Sequence, residues 1–395
     1  LENLEMKKTL VALAALASVS AFAQSTVTLS GIVDLGYQQI ANLSGQQTNQ
    51  VGQNGARTST FKFNGVEDLG GGLNANFQFE VQPSYIAANG NAYNAVYTTP
   101  STAVAANGAT QRTNAASAQS GLVGKGQSFI GLTDAKLGTV QFGTINTATF
   151  GAYAAVSQLG TGIGSGYGSG NTFGDFTRYE SAVAYKSPVI NGFDFSLLRG
   201  TGNDSQFGVV GTTATSATLR RPTATDIGVG YTNGPLAVKF GRLASKATGN
   251  ETSGAGVVTT TQLLGGVYDA GFAKFSLGTG SVKAEDGATS STKADYKLTV
   301  AAVTVPFGAN RVIAQTGSVR IDNGGSTVVV GAKSKSSGIA LERDLSKRTY
   351  AYLRYENTDL GGFAASSYVV NGAALANWNN GSTRKITSVG ISHAF

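Results

Sequence analysis

The chain has no cysteine, one histidine, one methionine, one tryptophan and six prolines in 395 residues. Without cysteine there is no thiol catalysis, no disulfide framework and no Cys-ligated metal site. One histidine leaves no basis for a His-rich metal cluster or a His-based relay, and no cofactor is expected. Charge is also scarce, at 13% of residues against about 25% in soluble domains. That scarcity argues against a coiled coil. Mean hydropathy is −0.02, and beyond the N-terminus no apolar run approaches the ~20 residues a transmembrane helix needs. What the chain does have is 54 glycines, many Ser, Thr, Asn and Gln, and 41% hydrophobic residues, enough to argue against disorder. The net charge of +7 comes from basic residues scattered along the chain. Nucleic-acid binding needs them clustered, so no nucleic-acid partner is expected.

Residues 1–23 read as a removable leader. Leu1 to Glu5 precede Met6, which is followed by Lys7, Lys8, an apolar run from Leu10 to Val19 and Ala21-Phe22-Ala23. A charged start, a short apolar stretch and a small-x-small site make a signal peptide, cleaved here after Ala23. The expected domains are therefore 1–23, extension plus signal peptide, and 24–395, one exported β domain.

From Thr26 onward the chain alternates with period two. Val27, Leu29, Val33, Leu35 and Tyr37 share one parity, and Thr26, Thr28, Ser30 and Asp34 the other. Such a segment is a strand with one apolar face. The pattern recurs at Phe77 and Phe79, Phe193 and Phe195, Leu298 and Val300, and Val389 and Ile391, among others. Sixteen segments begin near residues 26, 57, 72, 126, 138, 180, 192, 225, 235, 261, 272, 294, 309, 336, 348 and 385. Tight connections, such as 188–191 and 233–234, alternate with long ones at roughly 38–56, 83–125, 145–179, 201–224, 244–260, 281–293, 319–335 and 357–384. An even strand count with short turns at one end and long loops at the other is the pattern of an outer-membrane barrel. Open sheet edges cannot exist in lipid, so the sheet must close. An exported sandwich or β-helix would not explain the rhythm. The reading is an all-β, 16-stranded antiparallel transmembrane barrel. If the apolar parity faces lipid, Lys62, Lys186, Lys239, Lys274, Lys297, Arg311 and Arg354 face the lumen. So do Asp34, Glu80, Asp194, Asp226 and Glu356.

Several stretches together resemble the general porins of Gram-negative bacteria, of the β-proteobacterial (Burkholderiales/Neisseriales-like) type. They are Ser25–Gly36 (STVTLSGIVDLG), Gly65–Leu73 (GVEDLGGGL), Phe129–Leu132 (FIGL) with Leu137–Gly143 (LGTVQFG), Leu345–Thr349 (LSKRT) and Val389–Phe395 (VGISHAF). The resemblance implies a homotrimeric, water-filled diffusion channel for ions and small solutes, set in outer-membrane lipid. It also implies a third long loop, Ile145–Tyr179, that folds inward to narrow the pore. Arginines commonly line the constriction in that family, but Thr60, Gly126 and Thr144 stand at three such positions, while Arg178 matches. The expected constriction set is therefore Arg178, Lys62 and Arg57 against Asp175, with Thr60 and Thr144 in place of the family's arginines. The C-terminal aromatic Phe395 resembles the signal read by the barrel-assembly machinery.

No enzyme is expected, because acyl-transfer or hydrolytic chemistry needs a nucleophile and a base, and His393 shares the outward parity of Val389 and Ile391. A substrate-specific channel or an adhesin is the alternative. It is suggested by inward Tyr350 and Tyr352 and by Phe150, Tyr153, Tyr167, Phe173 and Phe176 in the loop.

Overall fold

A computed structural model describes residues 26–42, 47–83, 126–167, 177–201, 223–246, 257–286, 292–323, 331, 333–359, 369–370, 373–374 and 383–395. The expected leader, most of the 83–125 connection, and Phe173, Asp175 and Phe176 of the loop lie outside them.

Strands β1 (Thr26–Asn42), β2 (Gln47–Gln53), β3 (Thr60–Gly70), β4 (Leu73–Val81), β5 (Ser128–Asp134) and β6 (Gly138–Asn146) precede a helix, α1 (Ala148–Val156). Then come β7 (Arg178–Lys186), β8 (Phe193–Gly200), β9 (Thr223–Asn233), β10 (Leu236–Lys246), β11 (Val257–Asp269) and β12 (Lys274–Asp286). The chain continues through β13 (Thr292–Phe307), β14 (Asn310–Asn323), β15 (Lys333–Asp344) and β16 (Thr349–Asp359). A two-residue pair follows, β17 (Val369–Val370) and β18 (Ala373–Ala374), and the last strand is β19 (Thr383–Ala394). Each wall strand pairs antiparallel with its sequence neighbour, and β16 pairs with β19 past the small β17–β18 ladder. β1 closes the ring. Its Ile32–Asn42 pair with β19, while Leu35–Ala41 pair with β2 and Thr26–Ile32 with β3. Since β2 and β3 meet β1 in succession, they are two halves of one wall strand, and the barrel has sixteen walls.

Alternation sets the faces as the sequence implies. Val27 and Leu29 are 69% and 54% exposed on the outside, while Asp34 is fully buried inside. Outward aromatics gather near the tight turns. Phe193 stacks on Tyr231 with ring centres 4.5 Å apart, and Tyr185 meets Phe195 at 5.5 Å. Such belts form where a barrel wall meets the membrane interface.

Two expectations change, and one strand departs from strict alternation. The connection expected at 38–56 is mostly wall, because polar residues continue the ladder of β1 and β2 beyond the apolar band. Among its described residues and those up to β3, only 54–59 leave the sheet, and they turn inward. Lys297 does not face the lumen. Leu298 and Val300 are the buried inner face, packed with α1, while Lys297 pairs with Asp322 at 2.7 Å and is exposed. The lumen is dry where α1 lies, so there the apolar parity points in. Finally, the register shifts between Gly143 and Ile145, and Ser181 has φ of 50°. The alternation of β7 resets there, and Tyr179, one residue after Arg178, takes the inner, buried position.

The seam ends on Phe395. It exchanges backbone hydrogen bonds with Gly31 (3.1 and 3.2 Å) and sets its ring 5.6 Å from that of Phe61. A side chain at Gly31 would meet the Thr60 carbonyl at 2.4 Å and the Phe395 ring at 2.5 Å. Replacing Gly31 with Val is therefore expected to loosen the seam while leaving the distant walls intact. The folded band on unheated SDS gels should convert to the unfolded position at a lower temperature than wild type.

Candidate functional site

The inside of the barrel is shaped by two inward features, the segment after β6 and the residues between β2 and β3. The first begins with α1. Thr147 caps it, its Oγ1 accepting from the Phe150 N–H at 3.0 Å, as short polar side chains do at helix starts. Asp226 on β9 accepts from the Ala148 N–H at 2.5 Å, the Thr149 N–H at 3.3 Å and the Thr149 hydroxyl at 2.6 Å. A carboxylate there satisfies open N–H groups and opposes the positive end of the helix. At the other end Ser276 on β12 donates to the Val156 carbonyl at 2.6 Å. One side of α1 buries Ala152, Tyr153 and Val156 against Leu243, Leu263, Leu298 and Val300 of the wall. Burial pushes the Tyr153 phenol up to about 12, so it stays protonated and donates to the Ser165 carbonyl at 3.4 Å.

The chain beyond α1 is bolted to β14 and β16. Gln315 accepts from the Leu159 N–H at 3.1 Å and donates to the Ser165 carbonyl at 3.0 Å. Arg354 donates to the carbonyls of Leu159 and Ile163 at 3.0 and 3.3 Å. Glu356 accepts from the Gly164 N–H at 2.7 Å. These two charged residues are themselves paired, Arg354 with Glu342 at 2.5 Å and Glu356 with Arg384 at 2.9 Å. All four are at most 4% exposed at the side chain. Parity placed Arg354, Glu356 and Asp226 in the lumen correctly, but they serve as struts and not as free pore charges. The wall makes room for the loop with glycine. A Cβ at Gly241 would lie 2.3 Å from the Thr149 Cα, and one at Gly338 would lie 2.2 Å from the Gly164 carbonyl oxygen.

The second feature, Asn54–Ser59, is six residues facing only Val33 and Asp34 of β1. Asn54 takes φ of 63° and accepts from the Ser59 N–H through its side chain at 2.8 Å. Asp34 holds the protrusion, its carboxylate accepting from the Ala56 N–H at 3.2 Å, the Arg57 N–H at 3.0 Å and the Tyr352 hydroxyl at 2.9 Å. The protrusion touches the loop directly. The Ile163 N–H donates to the Gly55 carbonyl at 2.8 Å, and the Thr58 and Thr161 hydroxyls lie 3.3 Å apart. Alternation offers no signal for this protrusion, and only the Asn-Gly turn chemistry at 54–55 hints at it.

The expected site residues divide accordingly. Arg57 is the exposed residue of the protrusion, and among the described residues nothing binds its guanidinium. Lys62 faces in and pairs with Glu80 at 3.4 Å. Arg178 opens β7 opposite Asn146 and is partly buried. Thr60 is 4% exposed and Thr144 is partly buried. Gly126 is buried where any side chain would meet the Glu80 side chain at 2.3 Å, so Glu80 occupies that part of the wall. Tyr350 and Tyr352 face in, but Arg311 and Arg354 cover their rings at 5.0 and 5.9 Å, so they do not form an open aromatic track.

Residues 9–363 match the model of a family described as Gram-negative porin. An outer membrane porin protein of Bordetella pertussis is 30% identical over 69% of this chain and 68% of its own length. Among solved structures, an anion-selective porin from Comamonas acidovorans superposes with a TM-score of 0.69 at 23% identity, over 94% of this chain and 100% of that one. The trimer form of OmpT from Vibrio cholerae does so with a TM-score of 0.57 at 16% identity, over 94% and 99%.

Replacing Asp226 with Ala leaves three donors at the start of α1 without their acceptor, each worth about 1–3 kcal/mol when buried. The barrel should still form, while single-channel records in planar bilayers should show more open-state noise and more substates than wild type. Leucine at Gly241 should displace the loop toward the pore axis and lower the conductance step.

Proposed function

The chain belongs to the Gram-negative porin family, a family of outer-membrane diffusion channels, and from that premise we propose that its pore prefers anions weakly and that Arg57 sets the preference. The protein resides in the outer membrane and passes ions and small hydrophilic solutes passively. The observation that carries the proposal is the position of Arg57 on the Asp34-held protrusion against the inward loop, exposed and bound by no described side chain. Fixed charge at a narrowing selects ions, and screening over about 8 Å at physiological salt mutes charges farther away. Lys62 adds less, because Glu80 offsets it. Arg178, at the start of β7, remains in the proposed set with Asp175, which lies outside the described residues, and Thr60 and Thr144 serve as uncharged wall.

The test is the reversal potential of the purified protein in a planar bilayer under a KCl gradient. Wild type should show a modest anion preference, R57A should lie near neutrality, and R57E should prefer cations. Identical reversal potentials in all three would remove Arg57 from this role.

The same reading includes export, assembly and a homotrimer. Residues 1–23 are taken as the signal peptide, so the intact mass of the outer-membrane protein should correspond to a chain starting at Gln24. Phe395 is taken as the assembly signal, so deleting it should lower the amount of folded barrel in the outer membrane severalfold. The low side of the wall supports a homotrimer. Strands β4 to β8 have only seven to nine residues, at or below the ~9–11 that span a bilayer. Neighbouring subunits would cover that side better than lipid.

A further inference from the structure

One wall strand away from that low side, past β2 and β3, the strands β1, β19, β16 and β15 have 11 to 17 residues, long enough to span a bilayer. There the wall has a groove of about 890 Å³, within the ~300–1,000 Å³ of small-ligand sites. Register explains it. Ala351 on β16 sits between Arg343 of β15 and Ile391 of β19, and Ile391 lies beside Leu35 of β1. One row toward the long loops, Leu341, Leu353 and Val389 stand side by side. The small Ala351 side chain thus leaves an apolar trough between larger neighbours.

The trough is not apolar throughout. Its end toward the tight turns carries Arg343 and His393. Arg343 is exposed, and its guanidinium makes no ion pair or hydrogen bond with any described residue. The neighbouring turn adds exposed Lys347 and Arg348. Its one acid, Asp344, is turned to Arg311 at 2.8 Å and does not neutralise Arg343. The His393 ring nitrogen Nδ1 lies 2.8 Å from the Thr349 hydroxyl, which steadies the ring at the lip.

We propose that this groove binds one glycerophospholipid of the periplasmic leaflet, an acyl chain lying over Ala351 and the phosphate meeting Arg343 at the turn-side lip. Tight turns mark the periplasmic end of such a barrel, so the lip lies at headgroup depth. An arginine there keeps its stem along the apolar wall and its charge in the interface. The guanidinium fork matches phosphate oxygens. An apolar trough ending in unneutralised cations fits an amphiphile with an anionic phosphate better than it fits a protein side chain.

The experiment is native mass spectrometry of the purified full-length mature protein in detergent, titrated with palmitoyl-oleoyl phosphatidylethanolamine and, separately, with the matching diacylglycerol. Wild type should retain one phospholipid per chain and hold diacylglycerol more weakly. R343Q, a substitution at an exposed side chain, should weaken phospholipid retention about tenfold or more, the usual scale for a lost hydrogen bond to a charge. It should leave diacylglycerol unchanged. A351F should fill the trough and weaken both, while L277A, on a remote outer face, should change neither. Equal phospholipid retention by wild type and R343Q overturns the proposal whether or not A351F folds. Loss of the oligomer in A351F with lipid retention intact overturns it in favour of a subunit contact.

Discussion

In hydrocarbon an unpaired backbone N–H or C=O costs several kcal/mol, and the architecture of this protein follows from meeting that demand without an edge. β1 bears the heaviest share. Its outer half pairs with β19 on one side and β2 on the other, while its beginning pairs with β3. The first and last wall strands therefore meet, and Phe395 completes the ladder against Gly31. Lipid-facing side chains vary in size and shape, but the ladder beneath them is continuous.

A closed wall allows the inside to depart from the outside. The segment after β6 leaves the rim, enters the lumen and creates a second, dry interior around α1. Leu243, Leu263, Leu298 and Val300 are inward apolar residues because that helix covers them. The charges near it serve geometry. Buried ion pairs add little net stability, but breaking one is costly, and Arg354–Glu342 and Glu356–Arg384 hold the donors and acceptors that seat residues 159–164. Net charge alone therefore says little about selectivity. What counts is which charges are left facing water, and Arg57 is one of them.

The barrel was legible in the sequence because period-two alternation is imposed on every wall strand by the lipid outside. Strand ends were less so. Above the apolar band, polar residues such as those of Gln47–Gln53 still pair but no longer alternate in hydropathy, so β2 reads as loop. Lys297 was misplaced for the opposite reason. Its neighbours Leu298 and Val300 look lipid-facing, and only a helix packed from inside makes them core. Candidate charges could be named from parity and resemblance, but their roles could not. Whether Arg354 lines water or anchors a loop depends on a contact 195 residues away in the chain, which no local pattern encodes. The role of Asp34 in the protrusion was hidden for the same reason, since its carboxylate acts on backbone N–H groups that carry no sequence signature.

The struts of the inward loop also impose an order on assembly. Asp226, Gln315, Arg354 and Glu356 all come later in the chain than the segment they hold, by 77 residues from Thr149 to Asp226 and 192 from Gly164 to Glu356. Contacts this distant form only after the intervening loops have closed. Until β9 to β16 stand in the wall, the contacts that seat residues 147–165 cannot all be made. The narrowing of the lumen is therefore a property of the closed wall, since it depends on side chains that the C-terminal strands bring into the ring.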